Sequence, residues 1–179
     1  METYLVENLN TLVSQDAKYS CIYADPPWAY GNQGTRAATK NHYETLTVEE
    51  ICKEPVRELA AENAHLHLWT TNAFLFEAQK VMDAWGFKYK SILLWVKPQM
   101  GLGNYWRVSH EFLLFGIRGR LPFENRAQKS WVEHARLRHS EKPEIFREKI
   151  ELVSPGPYLE LYGRRPVDGW TVFGNQLLF

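Results

Sequence analysis

The chain has 179 residues, 45% hydrophobic and 14% aromatic, and its 21 basic and 21 acidic side chains give a formal net charge of zero. This suits one globular domain over residues 1–179 with a single core and excludes a low-complexity or disordered chain. A zero balance also removes any global pull toward nucleic acid or an anionic membrane, so a polyanion site has to arise from local clustering.

The opening METYLVENLN lacks the basic-then-apolar order of a signal peptide, and the longest apolar run, ILLWV, is too short to span a bilayer. The expectation is a soluble, cytoplasmic protein with no membrane partner. Cys21 and Cys52 stand far apart without Cys or His at ligand spacing and read as reduced thiols, with no metal. Apolar runs predict strands over 20–24, 64–69, 88–96, 110–117, 157–162 and 170–173. The loop after the first strand, GNQGTRAATKNHY, carries Arg36 and Lys40 and no acid. A helix is expected within 47–60, reset at Pro55. The segment 72–86 places Phe74, Ala78, Val81, Met82 and Trp85 on one helical face and stops at Gly86. GLG at 101–103 reads as a mobile substrate-side loop. Residues 118–147 hold eight basic side chains against four acidic ones. Within 142–156, Pro143 marks a helix start, and Phe146, Ile150 and Val153 share one face. Strands alternating with amphipathic helices predict an α/β fold, a central, mostly parallel sheet with helices on both faces. Such sheets bind ligands beyond the carboxyl ends of their strands, and Asp25 lies at one of those ends.

The segment ADPPW follows the first strand directly. Proline fixes φ and lacks an N–H, and a residue before proline is pushed to extended backbone, so Asp25 and Pro26 are stiffly held with carbonyls free of an ordinary turn. The Asp25 carboxylate and the Pro26 carbonyl are two acceptors for the two N–H groups of a nucleobase amine, Pro27 stiffens the pair, and Trp28 is placed to stack on the base. A cationic sulfonium suits a neighbouring carboxylate. Positioning and electrostatics then carry the catalysis. The bland alternative is a strand end, a proline-rich turn and an aromatic plug.

ADPPW resembles the signature of the S-adenosylmethionine-dependent adenine-N6 methyltransferases, the family of the eukaryotic messenger-RNA adenosine methyltransferase and its bacterial and phage relatives. The resemblance continues through LHLWTTN, AWGFKYKSILLWVK, GLGNYWRVSHEFLLFGIRG, HSEKPEIFREKIELVSPGPYLELYGRR and GWTVFGNQ, nearly the whole chain. It implies a Rossmann-like methyltransferase fold with circularly permuted motif order. Only about twenty residues precede the Asp25 strand, too few for the usual first half of a doubly wound sheet, so a cofactor site has to be built from later segments.

By the resemblance, S-adenosylmethionine is bound by Asp25, by Lys142 at its carboxylate, by Glu160, Leu161, Tyr162 and Arg164 along its length, and by Asn175 and Gln176 at ribose and adenine. A cation for a carboxylate and amides for hydroxyls are chemically apt. Lys142 as a helix-start lysine, Glu160 as a paired strand acid and 175–176 as a plain turn remain the alternatives. LELYGRRP lacks the Gly-x-Gly common in S-adenosylmethionine folds. On the substrate side, Trp28, Tyr30, Tyr43, Tyr105 and Trp106 are candidates for stacking, and Arg36, Lys40, Arg107, Arg118 and Arg120 for phosphate. His110 and Glu111 match a position near the substrate and equally suit a strand-start ion pair. The resemblance implies methylation of adenine N6 in nucleic acid, DNA before RNA for so short a chain, with a second copy or partner subunit supplying further contacts. The rival readings are an inactive nucleic-acid-binding subunit of the same fold and a methyltransferase for another NH2 group.

Overall fold

The apolar runs form the centre of an eight-stranded sheet in a computed structural model that describes residues 4–29, 45–138 and 141–174. Tyr30, Arg36, Lys40, Tyr43, Asn175 and Gln176 lie outside the described residues. In chain order the elements are β1 (Tyr4–Val6), α1 (Leu9–Ser14), β2 (Tyr19–Ala24), α2 (Val48–Lys53), α3 (Val56–Leu59), β3 (Ala60–Thr70), α4 (Leu75–Trp85), β4 (Lys88–Val96), β5 (His110–Arg118), β6 (Trp131–Glu133), α5 (Ile145–Val153), β7 (Tyr158–Leu161) and β8 (Trp170–Phe173). Local chemistry explains several boundaries. Thr47 and Glu50 close a capping box on α2, the helix is reset at Pro55 as expected, and α4 ends where Gly86 takes a left-handed φ of 86°. β1, α1 and β6 escape the sequence reading because three to six residues are too few to display a period. β3 starts at Ala60 instead of 64 because α3 runs straight into it.

The strand order is β1-β8-β7-β2-β3-β5-β4-β6, and every neighbouring pair is parallel except those of β5, which is antiparallel to both β3 and β4. Alternation along β2 divides the core between the faces. Ile22 and Ala24 join α1 to α4, with Leu12, Ile51, Leu59, Val81 and Trp85, while Cys21 and Tyr23 join the α5 side, with Trp69, Trp95, Phe146, Ile150 and Trp170. Helices therefore cover both faces, among the described residues four α-helices on one and one on the other. Two histidines of β3 point to the α5 side: His65 Nδ1 and His67 Nε2 each lie 2.8 Å from the Ser154 hydroxyl, and burial pushes both below their ordinary value, His67 to about 3.

From β2 the chain continues to β3 on one side, and from the adjacent β7 it continues to β8 on the other. Chain direction thus parts between β2 and β7, and a crevice opens beyond their carboxyl ends. Asp25 follows β2 and Tyr162 follows β7 at this crevice, joined by a hydrogen bond from the Asp25 N–H to the Leu161 carbonyl at 3.4 Å. The half that flanks it is assembled from both ends of the chain, β7 and β8 with β1, which is the permuted order.

Trp85 is fully buried and donates its indole N–H to the Ile51 carbonyl at 3.0 Å, tying α4 to α2. Trp85→Ala is expected to cost about 3–5 kcal/mol. A urea titration should show the loss as a lower midpoint at an unchanged slope.

Candidate active site

Three separate elements meet at one ammonium group. Lys142, in the segment leading into α5, places Nζ 3.2 Å from Asp25 Oδ2 at the end of β2 and 3.0 Å from Glu111 Oε2 at the start of β5. Lys97, just beyond β4, holds the other oxygen of Glu111 at 2.5 Å and lies 4.2 Å from the centre of the Trp95 ring. β5 is what makes this possible: being antiparallel, it brings its first residues to the carboxyl ends of its neighbours.

The two carboxyls are driven apart in acidity. Burial raises the Asp25 carboxyl above its ordinary value, and Lys142 only partly opposes it. Burial also pushes Glu111 upward, but Lys142 and Lys97 together outweigh it and leave that carboxyl below its ordinary value. For Lys142, burial is outweighed by Asp25 and Glu111, so its ammonium is held more firmly than usual. Glu111 is therefore a fixed anion that anchors Lys142, and Asp25 is the carboxylate with the higher proton affinity.

Two cavities flank this chain of charges. One, of about 450 Å³, is lined by Tyr23, Asp25, Lys142, Glu160, Tyr162 and Arg164 among others. The second, of about 650 Å³, is lined by Thr71, Lys97, Tyr105, Trp106, Arg107, His110 and Glu111 among others. Most of the described residues assigned to cofactor and to substrate thus separate onto two neighbouring cavities; Leu161 on one side and Trp28, Arg118 and Arg120 on the other line neither. Leu161 is 1% exposed and belongs to the core, so it offers only its backbone. Trp28, expected to stack on a base, is 6% exposed, stacks on Phe74 with ring centres 5.3 Å apart and donates to the Trp69 carbonyl at 3.2 Å.

The stiff turn also differs from expectation. The Pro26 carbonyl accepts from the Trp28 N–H at 2.9 Å and the Pro27 carbonyl from the Leu46 N–H at 2.8 Å. The segment is pinned by these bonds as well as by its prolines, and Pro26 keeps one lone pair. Arg118 and Arg120 are corrected as phosphate contacts: they lie at the opposite end of the sheet, where β5 finishes, and Arg118 donates to the carbonyls of Arg57 and Ala60.

Glu160 faces the first cavity as a partner of Arg147, whose Nη2 lies 3.0 Å from Oε1. The guanidinium stacks 4.8 Å from the centre of Trp170. The missing Gly-x-Gly has a structural counterpart. Tyr162 adopts a left-handed φ of 64° normally left to glycine, and a Cβ on Gly163 would come within 2.4 Å of Val172. Lys97 and Arg147 escaped the sequence reading. For Lys97 a signal existed, a charge directly after the apolar run ILLWV.

Comparison with known proteins places this geometry in context. The MT-A70 family profile matches residues 19–176. The chain is 29% identical over 182 residues to the Type II methyltransferase M.MunI of a Mycoplasma species, covering 89% of this chain and 78% of that protein. It is 29% identical over 178 residues to the human N(6)-adenosine-methyltransferase catalytic subunit METTL3, covering 92% of this chain and 29% of that one. With the human N(6)-adenine-specific methyltransferase METTL4 it shares 27% over 191 residues, 95% of this chain and 40% of the relative.

A carboxyl held below its unfolded value stabilises the fold above that value and ceases to do so as pH falls through the folded one. Glu111→Gln should therefore destabilise the protein most near neutral pH. Urea midpoints of the variant and the wild type should converge as pH falls below the ordinary glutamate value of 4.5.

Proposed function

The chain belongs to the MT-A70 family, and from that membership we propose that it transfers the methyl group of S-adenosylmethionine to the exocyclic N6 of adenine in nucleic acid, with DNA the first polymer to test. The observation that carries this reading is the position of Asp25 on an ion-paired lysine between two cavities, one suited to a charged cofactor and one rimmed by aromatics and arginines.

The first cavity fits S-adenosylmethionine on chemical grounds. Its volume lies within the roughly 300–1,000 Å³ of small-molecule sites. Lys142 and Arg164 suit a carboxylate, and Asp25 and Glu160 suit an ammonium, a sulfonium or hydroxyls. Arg147 Nη1 is buried without a hydrogen-bond partner, a donor left for a ligand, while Glu160 Oε2 is held by Arg147 Nη2 at 2.9 Å. When bound, the cofactor supplies an electrophilic methyl group.

An aromatic amine is a poor nucleophile because its lone pair is delocalised. Asp25 accepts one N–H of the adenine amine and the remaining lone pair of Pro26 the other, which draws density back onto nitrogen and aims it. Trp28 and Phe74 keep the DPPW backbone still under this load. After transfer, the amine's surplus proton passes to Asp25, whose raised proton affinity suits it, or to solvent. Lys142 holds Asp25 in place throughout, and Glu111 and Lys97 hold Lys142. The reading also sets the enzyme in the cytoplasm, where both free cysteines stay reduced, and gives it a second copy or a partner subunit for further contacts to the polymer.

Asp25→Asn preserves shape and removes the charge and the base. Methyl transfer should fall about 10²–10⁴-fold with the thermal midpoint kept, read as N6-methyladenine by nucleoside mass spectrometry after incubation with duplex DNA, single-stranded DNA and RNA. Full activity in the variant would falsify the role. A wild type that binds no S-adenosylmethionine would return the inactive-subunit reading, and cofactor binding without transfer would point to a missing partner or another acceptor. Lys142→Met removes a charge-assisted bond and should weaken cofactor binding by about 10–100-fold in a calorimetric titration.

A further inference from the structure

Most charges at the carboxyl end of the sheet are already neutralised. Asp25 and Glu111 are paired with Lys142 and Lys97, and Glu144 and Glu160 with Arg165 and Arg147. Three exposed arginines remain without a carboxylate in ion-pair reach among the described residues: Arg107, Arg136 and Arg138. Glu133 and Glu141 are exposed in the same region and offset part of this charge.

The arginines sit on one continuous wall. β6 is parallel to β4, so the segment after it leaves the sheet beside the β4–β5 loop, with the His134 N–H on the Val96 carbonyl at 3.0 Å. The Arg136 N–H donates to Gln99 Oε1 at 3.2 Å, and Arg136 Nη2 to the Val108 carbonyl at 3.4 Å. Arg136 lines the substrate-side cavity and Arg138 the cofactor-side one, so this short segment crosses between them. The loop itself is folded tightly back: a Cβ on Gly101 would lie 1.8 Å from the Val108 carbonyl oxygen, and one on Gly103 would lie 2.3 Å from that of Trp106. Such closure turns Tyr105 and Trp106 outward, 94% and 91% exposed.

Resting on the nucleic-acid reading above, we propose that Arg136 and Arg138, with Arg107, form a phosphate track that carries the polymer backbone across the boundary of the two cavities. Tyr105 and Trp106 stack on bases next to the target. Unpaired cations beside outward aromatic rings are the combination that grips a strand without reading its sequence. Neither Arg136 nor Arg138 touches the reacting groups. Their part is to hold the strand so that one adenine enters beside Glu111 and Asp25.

The polarity of the charge supplies the test. Arg120 and Arg126 are also exposed, but they lie in the segment that joins the far end of β5 to the start of β6. Arg136→Gln/Arg138→Gln and Arg120→Gln/Arg126→Gln remove the same net charge from opposite ends. Binding of a fluorescent single-stranded oligonucleotide is followed by anisotropy over a salt series. The rim pair is expected to lower the slope of log affinity against log salt by about 1.4, two contacts at about 0.7 each, and the far pair to leave it unchanged. Restoring charge with Arg136→Lys/Arg138→Lys should recover most of the slope, which a merely structural loop contact would not do. Equal slopes for the two glutamine doubles, with the wild type binding normally, overturn the track alone. A wild type that binds no oligonucleotide overturns the nucleic-acid reading together with it.

Discussion

The site depends on one ammonium group shared by two carboxylates. The Lys142 side chain is only 11% exposed, and it is compensated by two partly sheltered carboxylates, Asp25 from the end of one strand and Glu111 from the start of another. Ions taken out of water cost several kcal/mol each after relaxation, and one Lys–Asp pair leaves further oxygens to satisfy. Lys97 completes the balance, making two cations against two anions in one chain. Because each member has charged neighbours, the group holds its geometry before any ligand arrives. Preorganisation of this kind lowers the reorganisation needed at the moment of reaction.

Sheet topology explains why these charges meet. In a wholly parallel sheet every strand would start at the far end, and Glu111 would lie a strand's length from Asp25. Reversing β5 moves residues 110 and 111 to the working end and sends Arg118 and Arg120 away from it. The same reversal decides which basic residues face a polymer. Meanwhile the divergence at β2 and β7 opens the crevice in which Tyr162 and Gly163 bring backbone close to the first cavity.

Much of this was legible in the sequence, for physical reasons that differ by element. Buried strands such as β2 and β3 announce themselves as apolar runs, and α4 and α5 as amphipathic periods, because one face of each must leave water. Pro55 and Gly86 mark their boundaries through backbone geometry. Asp25 was visible as a charge placed where a buried strand ends. Lys97 stands after the apolar run ILLWV, but a lone lysine at the end of a half-exposed strand points to no particular chemistry. The part of Trp28 was not readable: whether an aromatic ring stacks on a ligand or on Phe74 depends on a neighbour forty-six residues away. Nor was the bond to the Pro27 carbonyl, since its donor, Leu46, stands far along the chain from it.

Charge runs are the least readable feature, and the stretch from 118 to 147 shows why. Its eight basic residues share a neighbourhood in sequence and scatter in space. Arg118 is consumed by backbone carbonyls at the far end, Arg120 and Arg126 stay there, Lys142 and Arg147 are drawn inside as counter-ions, and Arg136 and Arg138 emerge at the rim. Coulomb attraction to a polyanion acts on exposed, uncompensated charge within about a Debye length, near 10 Å at 0.1 M salt. Counting residues along the chain therefore overstates the attraction at the wrong end and hides it at the right one. A molecule with zero net charge can still present a locally cationic edge to nucleic acid, provided its fold pairs the acids inward and leaves the arginines of one loop segment unpaired.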